Sequence, residues 1–125
     1  MKLKTLAILA TFAVSAATAQ AAGNHDHTPK FGGVVVETKA GDLEIVAKTD
    51  VIQVYVSDHG KAVKLDGAKA KVTLLNGSEK TEADLTPAGD KLEAKGTFKV
   101  AKGTKGIALV TVVGKPTATA RFEIK

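Results

Sequence analysis

The sequence predicts an all-β protein: an immunoglobulin-like β-sandwich of about seven or eight antiparallel strands, preceded by a secretory signal peptide. Three observations carry that expectation. Short β-branched runs recur about every ten residues after the N-terminal segment, as in small β domains. Turn residues separate them, in "KAGD", "DHGK", "NGS" and "PAGD". Most runs also alternate apolar and polar residues, the pattern of a strand with one face in the core. A small β-barrel is the alternative architecture.

The elements follow in order. "GGVVVET" reads as the first strand, and "LEIVAKT" follows with Leu43, Ile45 and Ala47 on one face. "VIQVYVS" places Ile52, Val54 and Val56 against Val51, Gln53 and Tyr55. "AKAKVTLLNG" alternates Ala70, Val72 and Leu74 with lysines and Thr73. Its closing Asn76-Gly77 predicts a type I′ hairpin turn with positive φ at both residues. "TEADLT" and "KLEAKGTF" flank the next turn. "GIALVTVV" is the most apolar run and is expected to be a central strand. The final strand carries Ala118, Ala120, Phe122 and Ile124 on one face.

The first residues, MKLKTLAILATFAVSAATAQAAG, have a basic start, an apolar stretch too short to span a bilayer and a small-x-small site at Ala19-Gln20-Ala21. Cleavage is expected after Ala21, with Ala22 the next-best position. Residues 1–21 are thus a signal peptide, 22–30 a His-bearing leader and 31–125 the β domain, expected in a bacterial periplasm without a membrane anchor. Loss of Lys2 and Lys4 lowers the formal charge from +5 to +3. The remaining lysines are interspersed with acids, a solubilising pattern that gives nucleic-acid binding no support. Only Phe31, Tyr55, Phe98 and Phe122 supply rings after the signal, so stacking on carbohydrate has little to work with.

The chemical handles are few. His25, Asp26 and His27 place two imidazoles and a carboxylate in the leader, donors suited to zinc, copper(II), nickel and cobalt. A closed zinc site takes four protein ligands, so these three form an open site, with Asp58 and His59 as secondary donors. Cleavage after Ala22 would start the chain Gly23-Asn24-His25, a square-planar copper(II) or nickel binder. Neither Cys nor a second Met is present, which excludes soft copper(I) or silver ligation by sulfur. Ser57-Asp58-His59 holds the residue types of a hydrolase triad, but strand neighbours point to opposite faces and no nucleophile elbow surrounds the Ser. It reads as a turn. Glu37, Asp42 and Glu44 form an acidic cluster near the first hairpin, with Glu44 expected on the solvated face of its strand. No catalytic residue and no required cofactor emerge, so an enzyme is not expected.

The order of features is similar to the small periplasmic β domain that serves as the N-terminal accessory domain of heavy-metal efflux pump adaptor (membrane fusion) proteins. The matching positions are Gly32, Gly33, Leu43, Glu44, Tyr55, Asp58, Gly60, Lys61, Val63, Pro87, Gly89 and Leu92, within residues 24 to 125. Phe31 stands where many relatives carry His. The resemblance implies a secreted accessory protein that binds or buffers a divalent metal ion in support of efflux, with an adaptor or another periplasmic protein as partner. The alternative is a periplasmic interaction module that uses a sheet edge or face.

Overall fold

A computed structural model describes residues 28–125; the signal-peptide assignment and His25, Asp26 and His27 lie outside the described residues. Nine strands follow one another: β1 (Val34–Thr38), β2 (Gly41–Ala47), β3 (Val51–Asp58), β4 (Lys61–Ala62), β5 (Lys69–Asn76), β6 (Glu79–Ala88), β7 (Lys91–Lys95), β8 (Lys105–Thr111) and β9 (Ala118–Glu123). All pairings are antiparallel, and no helix occurs among the described residues. The predicted strands are present, with the two-residue β4 as an addition created by the turn after β3.

The hydrogen-bonded order is β1-β2-β3-β7-β6-β5-β8-β9, with β4 beside the end of β3. β6 joins the β1-β2-β3-β7 part of the sheet to the β5-β8-β9 part. Its residues 79–85 pair with β5, and residues 86–88 pair with β7. Pro87 lies past the end of the β5 ladder, where a residue without an N–H costs no bond on that side. The ends of the path, β1 and β9, approach within 8 Å without pairing, so the sheet is nearly closed into a barrel. β8 pairs on both sides, as its apolar sequence predicts.

Inward residues from both parts of the sheet make one core. Leu43, Ile45, Ile52, Val54, Val72, Leu74, Leu85, Leu92 and Val110 are fully buried, each side chain stabilising the fold by about 1.5–3 kcal/mol relative to exposure. Phe122 closes the core beside β1 by lying across Gly106, its partner in register on β8. A Cβ at Gly106 would overlap the Phe122 ring, which explains the glycine inside an apolar strand.

Two turns differ from expectation. Asn76 pairs with Glu79, so the hairpin loop is Gly77-Ser78, and Gly77 alone has positive φ, +62°. This is the type II′ pattern, with glycine in the first central position. Asn76 is instead a strand residue whose side chain ties down the loop before β8. Its Nδ2 donates to the Lys99 carbonyl at 2.9 Å, and its Oδ1 accepts from buried Thr104 Oγ1 at 2.5 Å. The type I′ signature falls on the other hairpin: Asp58 pairs with Lys61, while His59 and Gly60 have φ of +49° and +79°.

Candidate functional site

Glu44 overturns the expectation of a solvated side chain. Its outward face is covered because residues 30–33 fold back over β2. Only 7% of Glu44 is exposed. Its Oε1 accepts the Lys30 N–H at 2.7 Å, and its Oε2 accepts those of Phe31 and Gly33 at 2.7 and 3.0 Å. Burying a carboxylate is costly unless donors replace its water, and three charge-assisted bonds do so. The strap needs its glycines: Gly32 has φ +78°, and a Cβ on Gly33 would overlap the Ile45 carbonyl. Beyond Glu44, Phe31 reaches Tyr55 on β3 and stacks on its ring. Gln53 extends this outer surface, donating to Glu93 Oε2 at 2.8 Å across to β7.

Register places the acids on the same face. Val35, Glu44 and Tyr55 form one row across β1, β2 and β3; Glu37, Asp42 and Ser57 form the next, about 7 Å further along the strands. The second row opens on a cleft of about 760 Å³ at that end of the sheet. Glu37, Asp42, Asp58 and His59 line it, with Lys39, Thr117 and Thr119. Asp58 is held by Lys115, whose Nζ donates to Oδ2 at 2.9 Å, while His59 Nε2 lies 3.5 Å from Oδ1. The left-handed turn projects His59 outward, and its imidazole is largely exposed.

The sequence-level acidic cluster therefore divides. Glu44 leaves it to hold the strap, and Asp58 and His59 join Glu37 and Asp42 at the cleft. This gathering was hidden because it depends on β2 pairing with β3, which brings the 37–42 hairpin beside the 57–60 turn. Ser57, Asp58 and His59 do not form a triad: Ser57 lies in the row with Asp42, while Asp58 begins the turn. Among the described residues no group of three or more His, Asp and Glu side chains is close enough to hold a metal ion.

The arrangement is a nearly closed antiparallel β domain with an acid-lined cleft and a strap docked beside it. Comparisons with protein-family models, curated proteins and solved structures found no match.

Proposed function

We propose that the protein is a secreted periplasmic accessory domain that binds or buffers a divalent heavy-metal ion, zinc, copper(II), nickel or cobalt, in support of its efflux. The observation that carries this reading is the position of the Glu44-held strap, one row from Glu37 and Asp42. His27 stands three positions before Lys30 and His25 five, reaches of about 10 and 17 Å in an extended chain. The leader donors are therefore within range of the cleft carboxylates. His25 and His27 supply nitrogen ligands and Asp26 an oxygen ligand. Glu37 and Asp42 add negative potential, which raises the local concentration of cations, while Lys115 offsets the charge of Asp58. An ion held this way keeps open positions for a partner, as delivery to an efflux adaptor requires. Within this reading the fold is an immunoglobulin-like sandwich whose layers share β6.

Equilibrium titration with each ion tests the proposal. The protein binds at least one of them, His25→Ala/His27→Ala loses most of the affinity, and Asp42→Asn loses a smaller part. Equal binding by the protein and the double variant removes the leader as the site.

A second reading, an interaction module without metal, draws on the exposed Leu109 and on the unpaired facing edges of β1 and β9. It predicts a melting temperature indifferent to metal, whereas an ion binding only the native state raises it.

A further inference from the structure

The metal reading leaves the outer face of the layer β6-β5-β8-β9 without a role. Alternation turns Thr73 and Leu75 of β5 and Ile107 and Leu109 of β8 outward, since Val72, Leu74, Ala108 and Val110 are buried. Leu109 is 44% exposed. An open groove of about 660 Å³ continues the apolar strip past Leu75, Ile107 and Arg121 to Val35 on β1. Charged side chains frame the strip on β6 and β9. Register fixes the rows: Lys80, Leu75, Lys105 and Glu123 lie across from one another, then Glu82, Thr73, Ile107 and Arg121. An apolar centre with a charged rim is the anatomy of a protein interface.

We propose that this face docks against the same face of a second copy, about a twofold axis running along the strands between β5 and β8. Such a rotation exchanges β5 with β8 and β6 with β9 while keeping every row in place. Lys80 then faces Glu123 of the second copy, and Glu82 faces its Arg121. Thr73 meets Ile107, and the aliphatic stems of Lys71 and Lys105 cover Leu109 and Leu75. No two like charges oppose one another directly. The surface is thus self-complementary, as an isologous contact requires.

Four strands about 4.8 Å apart and about 24 Å long present roughly 450 Å² per copy, so the pair buries about 900 Å². That is below the standard size, and the dimer is correspondingly weak and concentration-dependent. Lys69, Lys71, Lys80, Lys105 and Arg121 outnumber Glu82, Asp84 and Glu123 on each face. Their surplus repels at a distance, and added salt screens that repulsion.

Surplus cations alone would favour an acidic partner protein over a second copy, and one variant separates the two. Arg121→Glu reduces the surplus yet sets a new carboxylate against Glu82 of the second copy. Sedimentation equilibrium from micromolar to near-millimolar protein reads the result. The wild-type mass rises from one chain to two. Arg121→Glu and Glu82→Arg each remain single chains that keep the β-sheet circular dichroism of the wild type, and the double exchange restores the twofold mass. A single-chain mass for the wild type throughout, or an Arg121→Glu variant that dimerises as well as the wild type, overturns the proposal.

Discussion

Phe31 lies flat on Tyr55, with ring centroids 3.7 Å apart and planes 7° from parallel. One ring comes from the strap and the other from the outer face of β3, so the contact measures whether the strap is docked. Beneath it, Glu44 gathers three backbone N–H groups. Glu44→Gln exchanges one carboxylate oxygen for an NH₂ group that faces donors. It is expected to cost about 2–3 kcal/mol, lowering the melting temperature by roughly 10–20 °C in a domain of this size. Amide hydrogen exchange at Phe31 and Gly33 should accelerate far more than exchange in β8. Unchanged protection at those two amides would refute the clamp.

Asn76 makes a second prediction. In Asn76→Asp the oxygen facing Thr104 is kept, while the donor to the Lys99 carbonyl becomes an acceptor. A loss of about 1–3 kcal/mol follows from the carbonyl left without its partner, measurable by urea unfolding. Gly77→Asn, by contrast, tests only the turn: φ of +62° is tolerated by Asn with a smaller loss.

Gly106→Ala drives a methyl group into the Phe122 ring. Overpacking of this kind costs about 1–3 kcal/mol. The double variant Gly106→Ala/Phe122→Leu should recover part of that loss relative to the sum of the single changes. Strict additivity of the two single effects would show that the ring does not sit on the glycine.

The pH dependence on the β5–β6 hairpin has a definite sign. Lys80 Nζ lies 3.1 Å and Lys71 Nζ 3.2 Å from the Glu82 carboxylate, and their hydrogen bonds, Lys80 first, hold its pKa below the ordinary 4.5. The unfolded chain then takes up the proton first as pH falls. The contribution of these ion pairs is complete above 4.5 and disappears as pH falls through the lower folded value. Carboxyl carbon shifts should titrate below 4.5 in the wild type and move upward in Lys80→Met or in concentrated salt. A midpoint insensitive to both changes would exclude the pairing.

The strands were legible because each presents one apolar face, and alternation survives any detail of packing. The choice of turn was not. Asn76-Gly77 and His59-Gly60 both offer residues that accept positive φ, and ladder register decides which pair occupies the loop. Glu44 was misread for a different reason. Period-two alternation says which face a side chain takes, but says nothing about a segment folding over that face. The cleft was legible only in parts: Glu37 and Asp42 stood out in an acidic cluster and Asp58 and His59 in a separate turn, and strand pairing brought the two together.

The clamp on residues 30–33 also fixes a starting point for everything N-terminal to it. Any group five residues from a fixed anchor can lie no more than about 17 Å from it. Confinement of that kind gives an effective concentration of millimolar or greater, set by geometry and independent of the amount of protein. Under the metal role proposed above, that arithmetic would let two imidazoles too weak to retain an ion from solution serve as a concentrated reagent. In that proposed role, releasing the Glu44 anchor would dilute the two side chains without altering either of them.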